Sequence, residues 1–131
     1  MNQESFKIEQ QEKFTLITIK EDKFTAKFSP DLKAELVILN SIGTKYIIID
    51  LALSSYCDSS GLSAILVANR ICKDNDGLLV ICNLKPAVAK LIDISQLNSV
   101  LNITPTLNEA IDFIFMDELE KSLGDLDENL N

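Results

Sequence analysis

The sequence predicts an α/β fold, one mixed sheet covered by helices. Three observations predict it. Two Thr- and Ile-rich segments with partial alternation open the chain. Two short, nearly continuous apolar runs follow, Tyr46–Leu51 and Leu78–Cys82, of the kind that central strands show when both faces are covered. Segments with helical spacing of apolar residues, about ten to fifteen residues long, separate these runs.

Taken in order, Ser5–Gln10 and Lys13–Lys20 (KFTLITIK) read as an initial strand pair, and Lys23–Phe28 as a short third strand pairing with them. Ser29-Pro30-Asp31 then marks a helix start, with Ser29 as N-cap, Pro30 as first helical residue and an acid in the first turn. Leu32, Leu36 and Leu39 give that helix an apolar stripe, with Lys33 and Glu35 outside, and it ends near Gly43. After the Tyr46–Leu51 strand, Leu62, Ile65, Leu66 and Cys72 recur at helical spacing, with Asn69, Arg70 and Lys73 outward. Asp74-Asn75-Asp76-Gly77 stops this second helix before the strand Leu78–Cys82. Pro86 to about Ile94 is a third helix, with Val88, Leu91 and Ile92 inward, and Val100–Thr104 a last strand. Thr106-x-x-Glu109 is a capping box opening a final helix through Ala110, Ile111, Ile114 and Phe115, which is expected to fray beyond Leu119.

At 131 residues the chain has the length of one domain. Residues 1–116 are read as that domain, and 117–131 as an acidic helix end and tail, solvated and partly disordered or else docking a partner. The net charge is −8, of which Asp117, Glu118, Glu120, Asp125, Asp127 and Glu128 against Lys121 supply −5, leaving −3 for the body. With no basic stripe, direct binding of DNA or RNA is disfavoured, because such binding is driven by clustered Lys and Arg. No apolar run approaches the roughly 18 residues that span a bilayer, and the polar start MNQESFKIEQ has no signal-peptide core, so a cytoplasmic protein is expected. Cys57, Cys72 and Cys82 are widely spaced and histidine is absent, which suits a reducing compartment and disfavours a zinc site. No metal or cofactor is expected, since P-loop and dinucleotide glycine patterns are missing too. Monomer and homo-oligomer both fit the sequence.

The stretch with the most chemistry is Tyr56-Cys57-Asp58-Ser59-Ser60-Gly61-Leu62, at a strand-to-helix turn. A nucleophilic serine needs a base. A Ser-His-Asp triad is impossible without histidine, no GxSxG or SxxK surrounds Ser59, and a carboxylate with an ordinary pKa near 4 is a feeble base for a hydroxyl. Hydrolase or transferase activity is therefore disfavoured. Two readings stay open on local chemistry. Asp58, Ser59 or Ser60 can act as helix N-cap, worth about 1 kcal/mol. Alternatively, a serine here can accept a phosphate, which the free amides and dipole of a helix N-terminus tolerate.

The run Ile48-Ile49-Asp50-Leu51-x-x-x-x-Tyr56-Cys57-Asp58-Ser59-Ser60-Gly61-Leu62 resembles the signature of STAS domains, the family of bacterial anti-sigma factor antagonists. Leu78–Cys82, Lys85-Pro86-Ala87-Val88-x-x-Leu91, Ile94-x-x-Leu97-x-x-Val100-Leu101 and the helix from Thr106 extend the likeness over about residues 5–116. The resemblance implies a four- or five-stranded mixed sheet with helices packed mainly on one face. It also implies a non-enzymatic binding module whose partner is a serine kinase that doubles as an anti-sigma factor, so that transcription is regulated indirectly. In such proteins the unphosphorylated form draws the kinase away from the sigma factor, and phosphorylation releases it. The acceptor serine of the family corresponds to Ser59, the motif acid to Asp58, and Ser60 and Gly61 shape the turn. The family's Gly-x-Leu-Asp turn before the first helix corresponds to Asp22-Lys23-Phe24-Thr25, so Thr25 stands where an acid is expected at the site. STAS-like domains also serve as structural subunits of transporter-associated or stress-signalling complexes, an alternative in which Ser59 is only a turn residue.

Overall fold

The structure, a computed structural model, describes residues 4–130, with side chains through Asp125. Met1–Gln3 of the polar start, Asn131, and the side chains of Asp127 and Glu128 in the acidic run lie outside the described residues. The element order is β1 (Phe6–Gln10), β2 (Thr15–Ile19), β3 (Lys23–Phe24), α1 (Ser29–Ser41), β4 (Tyr46–Asp50), β5 (Tyr56–Cys57), α2 (Ser59–Asp74), β6 (Leu78–Cys82), α3 (Pro86–Ile94), β7 (Asn102–Thr104) and α4 (Leu107–Leu130).

The sheet is mixed and five-stranded, as expected, and its strands lie in the order β1-β2-β4-β6-β7. The first pair is antiparallel, with Ile8 opposite Ile17, and β2-β4, β4-β6 and β6-β7 are parallel. Because side chains alternate along a strand, β4 and β6 feed two cores. Ile47, Ile49, Leu79 and Ile81 join Ile17 and Ile19 in the larger one, with Leu32, Leu36 and Leu39 of α1, Ile65, Ala68 and Cys72 of α2, and Val88 and Ile92 of α3. Tyr46, Ile48, Val80 and Cys82 point the other way and meet Ala110 and Ile114 of α4. Three helices thus cover one face and one covers the other.

Several expectations are corrected. The segment after β2 is not a third strand of the main sheet. Lys23–Phe24 pairs in parallel with Tyr56–Cys57 as a separate two-stranded ribbon, and the chain then turns at Thr25 instead of running extended to Phe28. Ser29 is not the N-cap of α1. It is the first helical residue, buried, its hydroxyl donating to the Thr25 carbonyl at 2.7 Å, while Phe28 holds the cap position. Asn69 is buried in α2, not outward. Val100 is exposed and precedes β7. The capping contact at α4 forms, the Glu109 amide donating to the Thr106 hydroxyl at 3.2 Å, but the helix does not fray at Leu119: it continues to Leu130.

Helices α1, α2 and α3 end in the same way, each with one left-handed residue and two amides folded back on the last turn. At α2 the left-handed residue is Asp76, φ 63°, and Gly77 follows it, donating to the Cys72 carbonyl at 2.7 Å. At α1 and α3 the corresponding residues are Gly43 and Gln96.

All three thiols are buried, and burial pushes each from an ordinary 9.0 up to about 12. Burial likewise raises the Tyr46 phenol, helped by its 2.7 Å hydrogen bond to Asp117. A raised value in the fold means that the native state holds its protons longer than the unfolded chain. Stability from these groups is intact below the unfolded value and is lost as pH climbs from about 9 towards 12, by about 1.4 kcal/mol per pH unit for each thiol concerned. The urea midpoint is therefore expected to fall between about pH 8 and pH 10, while the native thiols resist alkylation at the lower value. An unchanged midpoint, with rapid alkylation of the folded protein, would contradict this burial.

Candidate functional site

The site is built where the carboxyl end of β4 hands the chain to α2. Asp50 closes β4. Its carboxylate accepts from the Ala52 amide and from the Asn83 side chain, both at 3.0 Å, fixing the exit of the strand. The turn that follows is tied to the β2–β3 connection, the Ser54 hydroxyl donating to the Glu21 carbonyl at 2.8 Å and the Ser55 amide to the Asp22 carbonyl at 2.9 Å. The β3-β5 ribbon then places Phe24 opposite Cys57, and the Asp58 amide continues the ladder by donating to the Phe24 carbonyl at 3.2 Å.

Asp58 is the N-cap of α2. One carboxylate oxygen accepts from the Ser60 amide at 2.9 Å and the Gly61 amide at 3.0 Å, and the Asp58 carbonyl accepts the first helical bond from Leu62. This decides which of the three motif residues caps the helix. Ser59 and Ser60 are not required for that job. Ser59 is the first residue of the helix and is exposed, and Ser60 is half-buried behind it.

Gly61 sits against the ribbon. A side-chain carbon there would lie 2.5 Å from the Phe24 carbonyl oxygen and 2.8 Å from the Cys57 sulfur. Glycine is needed for this close approach, and not for an unusual backbone angle. Phe24 is fully buried and stacks on Phe28, ring centroids 5.3 Å apart, so the floor under the motif is part of the main core.

Thr25 follows directly on Phe24, the last residue of this ribbon strand, whose carbonyl is bonded to the Asp58 amide, which brings Thr25 beside the Asp58 end of the motif. Its carbonyl accepts from the Phe28 and Ser29 amides, and its hydroxyl accepts from the Lys27 amide at 3.3 Å. The threonine therefore organises the turn into α1. The five residues expected to form the site, Thr25, Asp58, Ser59, Ser60 and Gly61, lie at one rim of the sheet.

Sequence reasoning missed three neighbours. Leu53 and Tyr56 are apolar side chains left about half exposed in the turn and strand leading to Ser59. Tyr56 stood inside the motif, but nothing in the sequence says that a two-residue strand would leave it facing solvent. Lys33 was also unassigned. Its ammonium reaches from α1 to the Ser63 hydroxyl at 2.8 Å, one helical turn beyond Ser59.

A surface hollow of about 400 Å³ lies at the other end of the strands, by the β1–β2 turn, lined by Lys13, Phe14, Tyr46 and Glu118 among others. It shares no residue with the rim around Ser59. Among the described residues there is no cluster of three or more potential metal ligands, and no helix is long and apolar enough to cross a membrane.

Three comparisons bear on this arrangement. A curated relative, BtrV of Bordetella bronchiseptica, named for an anti-sigma factor antagonist role, is 34% identical over 77 residues; these are 59% of this chain and 64% of that protein. The chain thus matches a little under two thirds of that relative's length. Among solved structures, SpoIIAA of Bacillus in its phosphorylated form superposes with a TM-score of 0.67 at 22% identity, covering 83% of this chain and 98% of that one. A sulfate transporter family protein of Wolinella succinogenes gives a TM-score of 0.67 at 13% identity, covering 78% and 84%. At these identities the two structural likenesses speak for the fold. The family model described as STAS domain matches residues 5–110, which hold every strand and all of the rim described above, and the chain belongs to the STAS domain family.

Proposed function

We propose that this protein is a non-enzymatic anti-sigma factor antagonist of the cytoplasm. It binds a serine kinase that also holds a sigma factor, and phosphorylation of Ser59 releases that partner. The STAS unit is residues 1–116, and 117–131 is an acidic extension of it.

The observation that carries this reading is the division of labour at the α2 N-terminus. Asp58 takes the capping role with two hydrogen bonds, so the Ser59 side chain is exposed and spare. A serine that held the helix end would resist modification, because phosphorylation would then cost the cap. Leu53 and Tyr56 supply exposed apolar surface on the approach to Ser59, and tyrosine is favoured in protein interfaces. A phosphate adds about −1.5 to −2 charges at neutral pH. Placed beside the Asp58 carboxylate and within a desolvated contact, that charge weakens binding, and each 1.4 kcal/mol is about tenfold in affinity. The likeness to BtrV, named as an anti-sigma factor antagonist, supports an anti-sigma factor as the partner.

The test is incubation with a candidate serine kinase from the same genome and ATP, with mass-spectrometric mapping. One phosphate on Ser59 is expected, none on Ser59→Ala, and at least tenfold weaker kinase binding by Ser59→Asp. If the kinase binds Ser59→Asp as well as the wild type and leaves Ser59 unmodified, the switch does not exist. The transporter-associated or stress-signalling scaffold role then stands in its place.

A further inference from the structure

Helix α4 is apolar on two opposite sides, and only one of them is used by the fold. The inner side carries Ala110 and Ile114 against the sheet. One turn further on, the same side carries polar anchors. Asp117 accepts from the Tyr46 phenol at 2.7 Å, Glu118 pairs with Lys13 at 3.0 Å, and Lys121 pairs with Asp117 at 3.0 Å, lies over the Tyr46 ring and donates to the Asp76 carbonyl. At about 100° per residue the opposite side carries Met116, Leu119 and Leu123, exposed by 56, 51 and 51%, with Phe115 beside them. The spacing of Met116, Leu119 and Leu123, three and then four residues, is that of a seam by which one helix packs along another.

The charges sort in the same way. Lys121 is the single basic residue in the α4 sequence, and its three contacts turn it towards the body. Asp112 and Glu120 are exposed on or beside this outer face, whereas the exposed Asp125 lies one turn beyond Lys121 on the other side, so the outer face offers acids and apolar side chains without a compensating cation among the described side chains.

We infer that the outer face of α4 from Met116 onward docks a cationic amphipathic helix of a partner protein, its apolar seam laid on Met116, Leu119 and Leu123 and its Lys or Arg side chains matched to the flanking acids. Charge decides against the other occupants. A second copy would bring two segments of net −5 together within a Debye length, roughly 8 Å at physiological salt. An anionic lipid surface repels the same acids. This surface is separate from the Ser59 rim and does not depend on the switch proposed there.

The test uses the full chain and two synthetic peptides of three heptads, leucine at the seam positions, flanked in one by lysine and in the other by glutamate. Fluorescence anisotropy at physiological salt is expected to show the lysine peptide binding at least tenfold more tightly than the glutamate peptide. The variant Leu119→Ser/Leu123→Ser, which keeps the net charge and replaces exposed residues, is expected to lose at least tenfold of that affinity with an unchanged melting temperature. Equal affinity of variant and wild type would reduce the effect to bulk charge and overturn the proposal. So would sedimentation showing a dimer of the free chain, or pelleting with phosphatidylcholine vesicles, that the same variant abolishes.

Discussion

Gly77→Ala is expected to lower the unfolding free energy by about 3–5 kcal/mol, among the largest effects a single methyl can have. The added carbon would overlap the backbone carbonyl of Lys45. Backbone cannot rotate away as a side chain would, and Lys45 leads directly into β4, whose Tyr46 pairs with Leu78 of β6. Relief therefore requires separating two central strands at their start or pulling Gly77 off the Cys72 carbonyl. Gly43→Ala is the natural comparison. Its φ of 76° disfavours alanine, but no atom lies within 4 Å of the new carbon, so the cost should stay near about 1 kcal/mol. Urea denaturation of both variants checks the difference. A Gly77→Ala protein as stable as Gly43→Ala would show that the strands have room to part.

Gly61→Ala comes second, at about 2–4 kcal/mol. Two effects oppose each other. Alanine is the better helix former by about 1 kcal/mol, which favours the substitution. Against it stands a contact of 2.5 Å to the Phe24 carbonyl and 2.8 Å to the Cys57 sulfur, inside any normal packing distance. The thiol side chain can yield a little, whereas the Phe24 carbonyl is held by the Asp58 amide. The clash wins, and the first turn of α2 must move off the ribbon. Asp58, which caps that turn, and Ser59 move with it. If the proposed function holds, kinase affinity of the folded fraction should thus drop along with stability. A variant with unchanged melting and unchanged binding would mean that the close approach is not what holds the motif in place.

The sheet was legible because its central strands are nearly all apolar, a pattern that survives without knowledge of the neighbours. Ile47 and Ile49 face one core while Ile48 faces the other, yet all three read the same in sequence. The short ribbon was not legible. Lys23–Phe24 and Tyr56–Cys57 have two residues each, too few to show a period, and their pairing joins segments over thirty positions apart. Ser29 was misplaced because serine before proline is a strong start signal. The hydroxyl instead found the Thr25 carbonyl, a partner created by a turn that the sequence did not announce. At the site, three neighbouring residues could each cap the helix, and only coordinates could choose Asp58. The length of α4 is not legible either, because a run of acids reads as a solvated end. Tyr46 and Lys13, far away in sequence, supply the contacts that carry the helix past Met116.

The strand order has a consequence for how the chain comes off the ribosome. In β1-β2-β4-β6-β7 the spatial and temporal orders coincide, so the sheet widens in one direction as it is made. The antiparallel pair emerges first and offers an open edge. Each later strand then arrives with its crossover helix already synthesised and docks on the edge left by its predecessor. No strand of this sheet has to be inserted between two that have already paired. Unpaired edges invite pairing with other chains. Vectorial growth keeps one such edge open on the growing side at a time, until the last short strand closes the series.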